Sequence, residues 1–233
     1  MRLVSIVGDS ISTYEGYNPS GYAVFYNKEM CKVNGLNSVY DTWWAKVNQA
    51  LHAYLCVNNS YSGSKVSGDG FPAGSSEERL KNLRTAEYNP DIILVYLGFN
   101  DFANGVKIRP DNAGWFSKDK RNCCYFEAAY DSMLKKIISA YPKSKIVCGT
   151  LLRTYIKGKQ DWYFPERFGG VELEKYNDAI KKIVKINKCY LADVSGYSMP
   201  YETLDGSHPT VNGHIVIAKA WINCLAQLKL PEL

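Results

Sequence analysis

"DIILVYLG" (residues 91–98) carries six consecutive apolar side chains, from Ile92 to Leu97. A strand with one wet face alternates apolar and polar residues, and this stretch does not. An unbroken run of this length suits a strand covered on both faces by helices, the situation of parallel sheets in α/β proteins. Working outward, "LVSIV" (3–7), "YLCVNN" (54–59), "KIVCGTL" (145–151) and "CYLADV" (189–194) read as four more strands. Helical patterns lie between them. "TWWAKVNQALHA" (42–53) is one. "SSEERLKNLRTAE" (75–87) opens on Ser75 with Glu78 three residues later, the signature of a capping box. Residues 125–141 place Phe126, Tyr130, Met133 and Ile137 on one face, and 171–187 do the same with Leu173, Tyr176, Ile180 and Ile183. A final helix from Val211 stacks Ile215, Ala218, Ile222 and Leu225. Alternating strands and helices predict a parallel sheet with helices on both faces and right-handed crossovers.

Composition narrows the function. The 233 residues suit one domain spanning 1–233, and 46% hydrophobic residues supply a core. No apolar run approaches the ~20 residues of a membrane span. The opening "MRLVSIVGDS" is broken by Asp9 too early for a secretory leader. A net charge of +5 is mild, and the lysines of "LKKI" and "KKIVK" fall beside apolar positions at helical spacing. They read as solvated helix faces, so neither a nucleic acid nor a membrane is an expected partner. Seven cysteines include no C-x-x-C pair, although Cys123 and Cys124 are adjacent. Reduced, buried thiols and a cytoplasmic location are expected. With three histidines and no ligand cluster, no metal is expected.

In open α/β sheets, ligands bind beyond the carboxyl ends of the strands. The residues predicted there are few: Gly8, Asp9 and Ser10 after the first strand, Asn59 and Gly63 after the second, Asn100 and Asp101 after the third, and Asp205 and His208 in "DGSHPT" after the fifth. Their chemistry is coherent. A serine hydroxyl needs a base to take its proton. His208 is the one histidine on a strand-end loop, and imidazole is suited to proton transfer near neutral pH. Asp205, three residues earlier, can hold the imidazole tautomer. The N–H groups of Ser10 and Gly63 and the amide of Asn100 can serve a developing oxyanion.

"GDSIS" near the start, a glycine in the block after the second strand, "GFND" after the third and "DGSHPT" near the end resemble, in identity and order, the four blocks of the SGNH hydrolases, or GDSL-type esterases. The resemblance spans residues 3–225. It implies a flavodoxin-like three-layer α/β/α sandwich on a five-stranded parallel sheet, and no cofactor. It assigns Ser10 as nucleophile, His208 as base, Asp205 as its orienter, and Ser10, Gly63 and Asn100 as the oxyanion hole. Gly68 competes with Gly63 for the second-block role. The expected substrate is a small acyl ester, with acetylated carbohydrate favoured. A lysophospholipase or thioesterase, an acyltransferase and a non-catalytic binding module are the alternatives.

Plainer readings accompany these residues. Asp9 and Asp101 suit structural bonds to loop N–H groups, and His52 and His214 fall within helical patterns as structural or exposed groups. "SGSK" (62–65) matches S-x-x-K without its companion motifs, and no G-x-S-x-G elbow occurs. Two aromatic-rich stretches, 14–26 and 153–168, are long for α/β connections and read as cleft walls. From them Tyr14, Tyr17, Arg153 and Trp162 are the candidate substrate-binding residues, the aromatics for a sugar face or acyl chain. Arg153 and Arg167 are candidates for an anionic group, against the plainer reading of solvated arginines.

Overall fold

The computed structural model describes residues 1–109, 125–162, 164–165, 167–168 and 170–228. Along the chain come β1 (Arg2–Gly8), α1 (Lys28–Asn34), α2 (Trp43–Ala50), β2 (Ala53–Asn58), α3 (Glu77–Leu80), β3 (Ile92–Tyr96), α4 (Phe99–Ala103), α5 (Phe126–Ala140), β4 (Lys145–Gly149), β5 (Thr154–Ile156), β6 (Arg167–Phe168), β7 (Val171–Glu172), α6 (Leu173–Ile186), β8 (Tyr190–Ala192), β9 (Tyr201–Thr203) and α7 (Val211–Gln227). Five parallel strands form the main sheet in the order β2-β1-β3-β4-β8. This is the expected three-layer α/β fold. β3 is buried along its whole length, as its unbroken apolar run requires.

Helices α2 and α7 pack together in one outer layer, and α3, α5 and α6 form the other. The α2/α7 layer is seated by indoles. Trp43 and Trp221 stack at 5.2 Å, and Tyr96 of β3 meets them edge-on at 5.4 and 5.8 Å. Opposite, Phe126, Tyr130, Met133 and Ile137 of α5 are all wholly buried, as are Tyr176, Ile180 and Ile183 of α6. Each such side chain contributes about 1.5–3 kcal/mol relative to exposure. No helix among the described residues is long and apolar enough to cross a membrane. Cys31, Cys56, Cys148, Cys189 and Cys224 are free thiols, and Cys123 and Cys124 lie outside the described residues.

Three expectations need correction. The helix expected over 75–87 is one turn, and its cap is Ser76, whose hydroxyl accepts the Arg79 N–H, rather than Ser75. The chain leaves it because Leu83 is drawn into the core, its N–H donating to the Tyr141 hydroxyl and its carbonyl accepting from Ser5. In α7 the sheet-facing residues are His214, Ile217, Ala218, Trp221 and Leu225, while Ile215 and Ile222 are half-exposed. Trp221 takes the inner position because Gly149 of β4 leaves room for its ring. Lastly, the stretch after β4 is not a plain loop: β5 pairs in parallel with β9, immediately before Asp205. Strands of three residues are too short to carry a period-2 signal.

Candidate active site

β1 delivers Ser10 to the rim of the sheet. Asp9 caps a single 3-10 turn over Ser10–Ser12, its Oδ1 accepting the Ile11 N–H at 3.0 Å. Gly8 has no room for a side chain, since a Cβ there would lie 2.6 Å from the Ser12 hydroxyl oxygen. Ser10 is 6% exposed. Asp9 is wholly enclosed, and burial raises its carboxyl to about 6 against the opposing pull of the Ile11 N–H.

Asp205 and His208 come from a tight turn after β9. Asp205 Oδ1 accepts the N–H groups of Ser207 and His208 at 2.9 and 2.8 Å, while Oδ2 lies 2.6 Å from His208 Nδ1. Burial raises the Asp205 carboxyl, but the bonds from the His208 ring and backbone outweigh it and hold the group at about 2. An ionised carboxylate only accepts, so Nδ1 carries the proton and Nε2 is left as acceptor. Nε2 stands 2.9 Å from Ser10 Oγ. The turn is clamped on several sides. Thr154 of β5 donates to the Gly206 carbonyl at 2.8 Å, Tyr201 to Ser207 at 2.9 Å and Tyr26 to Pro209 at 2.6 Å. Phe25 lies flat on the imidazole, with ring centres 3.4 Å apart and planes within 6°.

The third component is a set of N–H donors. Neither the Ser10 nor the Gly63 N–H bonds another group among the described residues. Gly63 has φ +75°, a conformation that favours glycine, and faces open space. The Tyr61 N–H donates to the Gly8 carbonyl at 3.2 Å, which ties this loop to the end of β1. Asn100, at the start of α4, donates one amide hydrogen to the Ser64 carbonyl at 3.0 Å and keeps the other. Asp101 clasps the same loop further on, accepting the Val66 and Ser67 N–H groups at 2.7 and 3.0 Å. Gly63, next to the Ser64 that Asn100 bonds, lies nearer that amide along the loop than Gly68, which follows the Asp101 clasp.

Of the four residues expected to bind substrate, one reaches the turn that carries Asp205 and His208. Trp162 lies against Gly206, where an added Cβ would meet the indole at 3.1 Å. Tyr14 bonds Cys31 through its hydroxyl and packs edge-on against Tyr17, which in turn leans on Trp44. Arg153 is exposed and faces Glu174 at 3.6 Å. The Arg167 side chain lies outside what the structure describes. His52 is exposed in a turn with φ +48°, and His214 is buried with Nδ1 accepting the Trp43 N–H at 3.2 Å. Sequence reasoning missed Phe25, whose stack with His208 spans the whole chain and has no local signature. It also missed Arg79, which is wholly buried beneath the Ser10 and Gly63 loops although "EERL" reads as a solvated helix start.

Known proteins bear on this arrangement. The chain aligns over 98% of its length with a candidate GDSL-like lipase from Bacteroides ovatus at 23% identity, TM-score 0.73, covering 99% of that chain. It aligns equally fully with another from Bacteroides uniformis at 25% identity, TM-score 0.72, covering 97% of that chain. A carbohydrate acetylesterase from Sinorhizobium meliloti shares the fold at 16% identity and TM-score 0.61, over 97% of this chain and 99% of its own. No curated protein matches the sequence. Residues 2–159 match the family described as GDSL-like lipase/acylhydrolase, a span that includes Ser10, Gly63 and Asn100, so the chain belongs to that family of esterase- and lipase-type hydrolases.

Proposed function

We propose that the protein is a serine esterase that hydrolyses small acyl esters through an acyl-enzyme at Ser10. The observation that carries this is the continuous Asp205–His208–Ser10 chain at 2.6 and 2.9 Å. In the first half-reaction, Ser10 Oγ attacks the acyl carbon and its proton passes to His208 Nε2. The carbonyl electron pair moves onto oxygen, which the Ser10 and Gly63 N–H groups and the free Asn100 amide hydrogen receive. The tetrahedral adduct collapses, the bond to the alcohol oxygen breaks, and the alcohol leaves with the proton from His208. Water then attacks the acyl-serine as His208 removes its proton, and collapse releases the acid and restores Ser10. Asp205 stays ionised throughout and stabilises the transient imidazolium.

An O-acetyl group on a carbohydrate is the substrate class this site fits best. Trp162, at the edge of the Asp205 turn, offers an indole face of the kind that stacks on sugar rings. The hydroxyls of Thr154, Tyr201 and Tyr26 are taken up by the turn's own carbonyls. The acetylesterase likeness, at 16% identity, carries the fold alone, so the substrate reading rests on Trp162.

Hydrolysis of p-nitrophenyl esters of increasing chain length tests the proposal, with Ser10→Ala and His208→Ala as controls. Acetate is expected to turn over fastest, and each substitution to lower kcat by about 10⁴-fold or more. Turnover of Ser10→Ala equal to that of the unmodified protein would overturn the mechanism. Rates rising toward long chains would overturn the substrate class.

A further inference from the structure

Arg79 is 0% exposed, and no carboxylate among the described residues pairs with it. Its guanidinium donates through all three nitrogens. Nη2 reaches the carbonyls of Gly8 and, at 3.0 Å, Asn59. Nε bonds the carbonyl and side-chain oxygens of Asn59, both at 3.2 Å, and Nη1 bonds the Ser64 hydroxyl at 2.9 Å and the Pro72 carbonyl at 2.8 Å. These acceptors are not scattered. Gly8 ends β1 two residues before Ser10, Asn59 follows β2, and Ser64 follows Gly63. Ser64 is itself doubly held, by Arg79 at its hydroxyl and by Asn100 at its carbonyl. One side chain therefore joins the segments that carry all three oxyanion donors.

The charge is the unexpected part. Enclosing a guanidinium with no carboxylate in contact is costly; burial lowers its pKa to about 10 against the pull of the nearby Asp9 carboxylate, so it remains a cation at neutral pH. Carbonyls and a hydroxyl could be tied together by neutral donors at less cost. A cation under the oxyanion donors has a different use. Negative charge develops there only as the ester is attacked, and a fixed positive charge beneath the donors favours it.

We propose that Arg79 is the positioning residue of the oxyanion site: its fork sets Ser10, Gly63 and, through Ser64, Asn100 in register, and its charge favours the tetrahedral anion over the bound ester. The inference rests on the reading of Ser10 as nucleophile.

The test compares the unmodified protein with Arg79→Lys, Arg79→Gln, Ser64→Ala and Ser10→Ala. Each is assayed for kcat and KM on p-nitrophenyl acetate and for inhibition by phenylboronic acid, with the folded fraction measured by circular dichroism. The boronic acid mimics the tetrahedral state: the Ser10 Oγ–B bond forms, the serine proton passes to His208, and boron takes the negative charge. Both Arg79 variants are expected to lose about 30-fold or more in kcat per folded molecule, with KM within about threefold and a parallel rise in the boronate inhibition constant. Ser64→Ala should move the same way by severalfold. A kcat per folded molecule within about twofold of normal in both Arg79 variants, or an unchanged boronate constant in them, overturns the inference. Should neither Arg79 variant fold, Ser64→Ala decides it, and parity of kcat and boronate affinity with the unmodified protein is the overturning result. Turnover that survives Ser10→Ala overturns the reading of the site, and the inference with it.

Discussion

The two banks of the site are built in opposite ways. The bank carrying Ser10, Gly63 and Asn100 grows directly from the ends of β1, β2 and β3, and its anchors are buried: Asp9, Asn59, Arg79 and Asp101. The bank carrying Asp205 and His208 is a half-exposed turn outside the main sheet. Asp205 holds it through three bonds to Ser207 and His208, and β5, Tyr26 and Phe25 brace it from elsewhere. The first bank is thus rigid by burial, the second by local hydrogen bonding and a few long-range props. On the proposed mechanism the difference suits their tasks: fixed donors must meet a developing charge, whereas an imidazole must exchange protons with a leaving group and a water.

Substitutions can break that contrast. The largest effect after loss of Ser10 or His208 is expected at the second bank's internal bond. Asp205→Asn keeps the turn's size but offers an amide to Nδ1, which favours the wrong tautomer, and kcat should fall about 10²–10⁴-fold with little change in melting temperature. A matching fall in melting temperature would mean that the turn, rather than the tautomer, is what Asp205 secures. Next comes Phe25→Leu, which leaves the turn's hydrogen bonds intact but removes the stacked face. A loss of about tenfold in kcat is expected, with Phe25→Tyr restoring most of it. Equal activity of the leucine and phenylalanine forms would show that the props are dispensable.

The smallest effect concerns stability against pH, and it separates two buried groups of opposite sign. Burial first, then the charge of Lys46, lowers His214 to about 3. The unfolded chain binds that proton near 6.5, so the contribution of His214 is full above that pH and is lost as pH falls toward 3. Asp9 is the reverse. Its folded value of about 6 lies above the unfolded one, so its contribution is full below about 4 and is lost as pH rises through 6. Urea denaturation at pH 5 and 8 reads both. His214→Asn should lose less stability on acidification than the unmodified protein. Asp9→Asn, which keeps an acceptor for the Ile11 N–H, should gain stability at pH 8 relative to it, each by about 1–2 kcal/mol. Unchanged pH slopes in both variants would mean that neither group titrates differently on folding.

The sheet was legible because its strands are apolar runs that register without knowledge of their neighbours. The positions of Ser10 and Asn100 at strand ends were legible for a related reason, since each sits within a few residues of such a run, whereas Asp205 and His208 lie 11 and 14 residues past the last one and were legible only through the "DGSHPT" motif. What could not be read depends on distant partners. β5 and β9 are three residues each and acquire meaning only by pairing across the interval from 156 to 201. Arg79 has the local sequence of a solvated helix, and only the carbonyls of Gly8 and Asn59 draw it inward. Trp162 and Tyr17 look alike as aromatic residues of long connections, yet one lies on the Asp205 turn and the other on Trp44.

The 198 positions between Ser10 and His208 have a consequence for the life of the chain. Ser10 is synthesised well before the Asp205 turn, so a chain that lacks the turn presents the Ser10 hydroxyl without its imidazole partner. On the proposed mechanism, ester cleavage therefore waits until the Asp205 turn has been made. A single proteolytic nick that freed β9 and α7 would silence it, and would also strip Trp221 from its stack on Trp43.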